Sequence, residues 1–524
     1  MNNEADSQGE KIRVGLSFVL KACIFTTGLA GIVAEYVMAT MASYLLGNAV
    51  LQWALTISLM LFAMGIGSWL SRYIQPPLLD SFIAVEFILS LLCSISAVFV
   101  YFFSVHIQNI ASIIYLIAIG IGILIGLEIP LVTRLNNYFE ELRINISSVM
   151  EKDYYGALFG GLLFIFLALP YLGLTYTPLV LGSANFLVAF TLFIVNHKAL
   201  QFKRGLTALS IAIPSVIILL FFFAEPIILY GEQSKYVDRI IYAEQTRYQR
   251  IVLTQWKDYN WLYLDGNEQF SSYDEERYHE PLVHPAMNLC VSRRNVLILG
   301  GGDGLAAREV LKYPDVKKLV LVDIDPAMTR LAMENPILLR LNRNSLKDKR
   351  VSILNEDAYI FLKRIDSLFG VIIIDFPDPK SVTTARLYSR QFYHLASRHL
   401  IRGGVMVTQA TSPFFAKRVF LSILKTMRSA GISAIAYHNH IPTLGEWGWV
   451  LGFNVTGISS SQLKKMLGGI EFPEIDTNFL NREAMLSMLN FGKGMLDELD
   501  EVEINDEMDL SIYHYYQKGS WDIY

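Results

Sequence analysis

Seven long apolar stretches before residue 230 constrain this chain more than any other feature. They lie near Ala22–Leu45, Leu51–Leu70, Phe82–Phe103, Ile110–Val132, Ala157–Leu172, Pro178–Val195 and Leu206–Ile228. Each is long enough, or nearly so, to cross a bilayer. Where no water reaches the backbone its polar groups must pair within the segment, so all seven are predicted to be helices. Gly122 with Gly126 and Gly156 with Gly160 repeat at four-residue spacing, a pattern that lets helices approach closely. The opening Met1–Glu10 is polar and slightly acidic, and the apolar stretch after it is too long for a secretory signal core. That stretch is expected to be a retained membrane helix.

Composition agrees with a chain divided between membrane and water. Hydrophobic residues make up 53% of the 524 and charged residues 18%, too apolar for a soluble enzyme and too charged for a pure membrane bundle. A net charge of −4 offers nothing to nucleic acid. Cys23, Cys93 and Cys290 are too scattered for a metal-ligand set or a disulfide framework. Three carboxylates, Glu35, Glu86 and Glu128, fall well inside the apolar stretches, and Glu225 ends the last one. Such groups either face the bundle interior and hydrogen-bond neighbouring helices, or mark an ion or substrate path.

After Tyr230 the pattern changes to that of a water-soluble domain. Four regions are expected: a transmembrane helical domain over 1–230, a small β-rich part over 231–290, a nucleoside-binding α/β domain over 291–458, and a helical, then acidic, tail over 459–524. Within the β-rich part, Arg250–Thr254 and Trp261–Leu264 read as strands. Val296–Leu299, Leu319–Val322, Val351–Leu354, Val371–Ile374 and Val405–Thr408 are apolar runs of strand length separated by helical patterns. That alternation predicts a doubly wound, methyltransferase-like Rossmann domain with its site at the carboxyl ends of a buried parallel sheet. The acidic run Asp497–Asp509 reads as a solvated face.

The first strand runs into Gly300-Gly301-Gly302-Asp303-Gly304, where missing side chains admit a ligand to the backbone. Asp323 closes the second strand, the place of a ribose-binding carboxylate. Glu356-Asp357 closes the third and Asp375 the fourth, with Asp378 just beyond. Acids at successive strand ends converge on one crevice. A pocket so negative selects cations and repels phosphates, so a pyrophosphate cofactor is not expected despite the glycines. A sulfonium nucleoside and an alkyl diamine are both positive and suit it.

These residues, with Tyr248-Gln249, Leu264-Asp265-Gly266, Tyr278-His279-Glu280 and Asp375-Phe376-Pro377-Asp378-Pro379, resemble the spermidine synthases. The match spans roughly residues 240–455, and the helices before it are similar to the long membrane-bound bacterial branch of that family. The resemblance implies a polyamine aminopropyltransferase, with decarboxylated S-adenosylmethionine as co-substrate, no cofactor and no metal. It implies donor-binding roles for Gln249, Asp303, Asp323, Asp357 and Ala358, with Asp323 on the ribose, Asp357 on the adenine amine and Asp303 on the aminopropyl ammonium. It implies acceptor-binding roles for His279, Asp303, Asp375 and Asp378, with Asp375 as the catalytic general base. The chemistry needs such a base, because an alkylammonium with a pKa near about 10.4 attacks only once it has lost its proton. The sequence departs from the family at Ala358, where glycine is usual, at Phe376-Pro377, and at Leu444, where a tyrosine commonly touches the amine. Trp447 and Trp449 read as packing aromatics at the pocket rim.

Two other readings share the fold: a methyltransferase using ordinary S-adenosylmethionine, whose carboxylate would sit badly beside Asp303, and a polyamine transporter or sensor with a binding-only soluble domain. Partners are then a small polyamine and the lipid bilayer, a homo-oligomer being compatible with both. Lys11, Arg13, Lys21, Arg72, Arg134, Arg143, Lys152, Lys198, Lys203 and Arg204 flank the helices on one side. The positive-inside rule therefore places the N-terminus in the cytoplasm of an inner-membrane protein. Seven crossings would put the catalytic domain outside, whereas an intracellular donor argues for the cytoplasmic side, the placement expected here.

Overall fold

The computed structural model describes residues 2–46, 49–104, 106–107, 109–137, 141–455, 457–472 and 475–520; side chains before Ser17, including Lys11 and Arg13, lie outside it. The chain divides into two compact units between Arg239 and Ile240.

The first unit is helical: α1 (Asn2–Leu46), α2 (Ala49–Leu70), α3 (Leu78–Ser104), α4 (Ile110–Asn136), α5 (Leu142–Leu163), α6 (Gly173–Asn196) and α7 (Lys203–Gln233). Among the described residues six helices are long and apolar enough to cross a membrane, not the seven expected. The fifth and sixth expected stretches lie in one helical run, Leu142–Asn196, because a π-helical segment, Phe164–Leu172, joins α5 to α6 without a loop. The run nevertheless doubles back at Gly173, whose φ of 62° and ψ of −169° are not helical. On one side of that residue α5 runs parallel to α1, with Gly156 against Phe25, Gly160 against Leu29 and the Phe164 ring 5.6 Å from Tyr36. On the other side α6 runs antiparallel to α3, with Gly182 against Ser94 and Asn185 against Glu86. The glycine pairs do pack helices: a Cβ on Gly126 would lie 2.1 Å from the Met64 carbonyl oxygen, and one on Gly156 2.1 Å from that of Phe25.

Glu86 and Glu128 are buried in this bundle. The Glu86 carboxylate accepts from Asn185 Nδ2 at 3.0 Å and Thr27 Oγ1 at 3.3 Å, whereas neither Glu128 oxygen has a hydrogen-bond partner among the described residues. Glu35 is half-buried, and Glu225 accepts from the Tyr176 hydroxyl at an exposed site. Cys23 and Cys93 are buried thiols, as small apolar side chains would be.

The second unit opens with a four-stranded sheet, β1 (Arg239–Gln245), β2 (Arg250–Trp256), β3 (Tyr259–Leu264) and β4 (Asn267–Ser271), followed by helix α8 (Glu276–Leu289). A seven-stranded sheet follows: β5 (Asn295–Gly300), β6 (Lys318–Val322), β7 (Val351–Leu354), β8 (Phe369–Asp375), β9 (Leu400–Gln409), β10 (Ser433–Ile441) and β11 (Gly445–Phe453). Its order is β10-β11-β9-β8-β5-β6-β7. The five strands expected from sequence are parallel neighbours, and helices cover both faces. Alternate residues divide between two cores, with Val296, Ile298, Val371 and Ile373 on one and Leu297, Leu299, Ile372 and Ile374 on the other. This is the period-2 burial of a strand covered twice.

The sheet is mixed rather than parallel, because β11 pairs antiparallel with β9 and β10 antiparallel with β11. The expected solvated tail is also only half correct. Its carboxylates are largely exposed, but Val502, Asn505 and Ile512 between and beyond them are buried against the sheet's helices.

Candidate active site

Parallel strands end in step, so the residues just past β5, β6 and β8 share one crevice. Gly300 ends β5 with a φ of 84°, and a Cβ there would lie 2.0 Å from the Asp375 carbonyl oxygen. Glycine alone lets β5 finish beside β8. In the following turn Gly302 N donates to Asp323 Oδ2 at 3.0 Å, while Asp325 N donates to Asp323 Oδ1 at 2.8 Å. Asp323 thereby ties the glycine loop to the end of β6. Burial pushes its carboxyl up to about 7, against the pull of those two N–H donors.

Asp303 accepts from Leu305 N at 2.7 Å, and its carboxyl is also raised by burial. Asp375 is raised to about 6, first by burial and then by the charge of Asp303, with His279 and the Tyr278 hydroxyl opposing. Asp303, Asp323 and Asp375 are all half-buried, as groups lining an open crevice are.

Helix α8 supplies the other wall. The Tyr278 hydroxyl donates to Asp375 Oδ1 at 2.7 Å. His279 Nδ1 lies 2.8 Å from the Glu275 carbonyl oxygen and 3.0 Å from Glu275 Oε2. Arg308 grips both Glu275 oxygens at 2.7 and 2.8 Å. Burial alone would lower the His279 pKa, but the Glu275 hydrogen bond and charge, with Asp303 and Asp375, lift it to about 9. His279 is therefore a cation at neutral pH, facing the acids. Glu280, the third residue of that motif, is structural: its carboxylate accepts from the backbone N–H groups of Asn478, Phe479 and Leu480 at 2.6 to 2.9 Å.

The remaining expected residues stand at the edges. Gln249 Nε2 donates to Asp325 Oδ2 at 3.0 Å, beside the Asp323 turn. Asp357 caps the helix Ala358–Arg364 through Tyr359 N and Ile360 N, with Oδ2 3.7 Å from Arg386; Ala358 is buried. Asp378 is not open to the crevice as Asp375 is. It is 9% exposed and accepts from Gln409 Nε2, Thr411 Oγ1 and the Tyr516 hydroxyl. Trp449 is core, stacked on Tyr437 at 5.7 Å, while Trp447 lies 6.4 Å from Tyr278, in keeping with a packing role.

Tyr278, Gln409 and Tyr516 were not assigned roles from sequence. Position could have flagged the first two, since Tyr278 precedes the motif histidine and Gln409 closes β9 as the acids close their strands. Nothing local marks Tyr516. A separate cavity of about 380 Å³, lined by Phe414, His438, Glu446 and Phe491 among others, contains none of the expected residues. Among the described residues no group of three or more His, Cys, Asp and Glu is arranged to hold a metal.

The spermine/spermidine synthase domain family matches residues 275–462. Polyamine aminopropyltransferase 2 of Aquifex aeolicus (strain VF5) is 43% identical over 509 residues, covering 96% of this chain and 99% of that protein. The polyamine aminopropyltransferase of Leptospira interrogans serogroup Icterohaemorrhagiae is 39% identical over 492 residues, covering 93% and 96%. The crystal structure of spermidine synthase from Thermotoga maritima aligns with 50% of this chain and 88% of its own at 26% identity, with a TM-score of 0.45. The crevice, the ordered motifs and near full-length identity lead to one conclusion: this chain belongs to the spermidine synthase family, in its long bacterial branch, and is a polyamine aminopropyltransferase.

Proposed function

We propose that the chain transfers an aminopropyl group from decarboxylated S-adenosylmethionine to putrescine or a related polyamine, giving spermidine and 5'-methylthioadenosine. The acceptor nitrogen attacks the carbon next to sulfur, and the carbon–sulfur bond breaks as its electron pair returns to sulfur. The sulfonium leaves as a neutral thioether, so no oxyanion needs stabilising. The nitrogen's surplus proton goes to Asp375. Holding two cations in line within one acidic crevice supplies much of the rate. Asp323 and Gln249 take the nucleoside, Asp357 and Ala358 the adenine edge, and Asp303 the ammonium of the transferred arm. His279, Asp375 and Asp378 order the acceptor end. No metal or cofactor takes part.

The observation that carries this reading is the Asp375 carboxylate at the end of β8, held by the Tyr278 hydroxyl at 2.7 Å and facing Asp303. A carboxyl raised to about 6 by burial is still ionised at neutral pH and more basic than an ordinary aspartate, as a proton acceptor should be. The helical unit anchors the enzyme in the inner membrane as a multi-pass protein, and a homo-oligomer is compatible with it.

The test is calorimetry and turnover with the full chain in detergent. Decarboxylated S-adenosylmethionine should bind clearly more tightly than the carboxylated form and yield methylthioadenosine when putrescine is added. Equal binding of the two, with methyl transfer, would favour the methyltransferase reading. Binding without turnover would favour the sensor.

A further inference from the structure

We propose that Tyr516, on the C-terminal helix Ser511–Gln517, is a positioning residue for the acceptor end of the site, acting through Asp378. This rests on the aminopropyl-transfer reading above. The Tyr516 hydroxyl donates to Asp378 Oδ2 at 2.8 Å, with both residues buried. The carboxylate's other two contacts are longer, 3.3 Å from Gln409 Nε2 to Oδ1 and 3.3 Å from Thr411 Oγ1 to Oδ2. A short O–H donor to a carboxylate is the strongest of the three. The tail hydroxyl therefore does most to fix the direction of this acid.

The network continues toward the proposed base. Gln409 Nε2 also donates to the Phe376 carbonyl at 2.8 Å and the Tyr388 hydroxyl at 2.6 Å. The Tyr388 hydroxyl reaches the Phe376 and Pro377 carbonyls at 3.1 Å. Tyr516, Gln409 and Tyr388 together thus brace the segment from Phe376 to Asp378, next to the proposed base. The helix that carries it is itself anchored. Ile512 is fully buried, and Asn505 just before the helix receives Ile512 N, donates Nδ2 to the Ala385 carbonyl at 2.9 Å, and donates its own N–H to Thr426 Oγ1. Burial and the Asp378 charge push the Tyr516 phenol far above its ordinary pKa, so it stays a donor at every working pH.

This contact bears on a gap in the sequence. Leu444, buried, stands where the family resemblance places a tyrosine on the amine. The tail supplies a hydroxyl to Asp378 from 138 residues further along the chain. Lys380 Nζ sits 5.6 Å over the Tyr516 ring, so a cation already rests on that face near the acid.

The experiment compares Tyr516→Phe with Tyr516→Ala in the full-length enzyme at saturating donor. Losing one charge-assisted hydrogen bond should raise the acceptor KM about tenfold in Tyr516→Phe. The fall in kcat should be smaller and donor affinity unchanged, while the thermal midpoint should fall modestly because the bond lost is buried. In an Asp378→Asn background, Tyr516→Phe should add little, since its partner is already altered. A Tyr516→Phe enzyme with wild-type acceptor KM would overturn the inference whether or not Tyr516→Ala is impaired, because the ring would then serve packing alone. A wild-type chain that transfers no aminopropyl group would instead sink the functional reading. The same variants would then be read by calorimetric binding of putrescine, which Tyr516→Phe must weaken for the inference to stand.

Discussion

Tyr278 and Asp375 lie on different elements, yet the phenol hydroxyl meets Oδ1 at 2.7 Å. Helix α8 thus holds one carboxylate oxygen from the side while the rigid end of β8 fixes the backbone beneath it. On the reading proposed above, the other oxygen would take the incoming amine's proton. Asp375→Asn keeps the shape but cannot take the proton, so turnover should fall by about 10²–10⁴-fold with donor binding little changed. Raising the pH should recover part of the loss, because more acceptor is then already neutral. Turnover within a few-fold of wild type would remove Asp375 as the base. Steady-state kinetics at several pH values decide it.

The pH dependence has a definite sign. Asp375 accepts a proton only when ionised, and burial raises it from 3.8 to about 6. Activity should therefore fall as the pH drops through about 6. Both Tyr278 and His279 favour the ionised form. Tyr278→Phe should move this limb to higher pH, and so should His279→Ala. The same shift affects stability. The folded chain keeps the Asp375 proton up to about 6 but the unfolded chain only to 3.8, so this group's contribution declines as the pH rises between those values. A limb that stays in place in Tyr278→Phe would show that the hydrogen bond does not tune the base.

Glu280 offers a stability prediction separate from chemistry. It is fully buried and accepts three backbone N–H groups from residues 478–480. Glu280→Ala would leave those donors unsatisfied, at a cost of about 1–3 kcal/mol for each one that stays buried and unpaired. The thermal midpoint should fall clearly, and proteases should cut first near residues 478–480. An unchanged midpoint would mean that water replaces the carboxylate without loss.

The strand-end acids were legible because burial on both faces makes β5, β6 and β8 continuous apolar runs, and parallel strands bring their ends together. The β10–β11 hairpin was less legible. Trp447 and Trp449 read as rim packing, although Trp449 is fully buried core on β11, paired antiparallel with β10 on one side and β9 on the other. Glu280 was quoted only as part of the His279 motif, and its structural role was hidden because its partners lie about 200 residues on. The tail's exposed acids masked the buried Asn505 and Tyr516 beside them. The joining of α5 and α6 was hidden because Pro170 and Gly173 read as a break between two stretches, whereas the helical run continues through Pro170 and the reversal depends on the backbone conformation of Gly173.

The directions in which the helices run bear on the side of a membrane where the enzyme would work. Helix α7 runs parallel to α3, since Leu206 shares a core with Phe82 whereas Gly231 packs on Tyr101. Helix α2 runs parallel to α4, with Met60 against Gly122 and Met64 against Gly126. With α5 parallel to α1 and α6 reversed, the chain runs the length of the bundle an odd number of times, although among the described residues six helices count as long and apolar. Arg72, Arg134, Lys198 and Lys203 all fall at the end where α2, α4 and α6 finish and α7 begins. The positive-inside rule puts that end in the cytoplasm. On that rule a chain leaving α7 would emerge on the opposite face, whereas an intracellular donor would place it in the cytoplasm. A phosphatase reporter fused after Tyr524 should be active, and a fluorescent reporter that matures only in the cytoplasm should stay dark. The reverse result would require that one pass, most simply the π-helical hairpin around Gly173, enters the bilayer without crossing it.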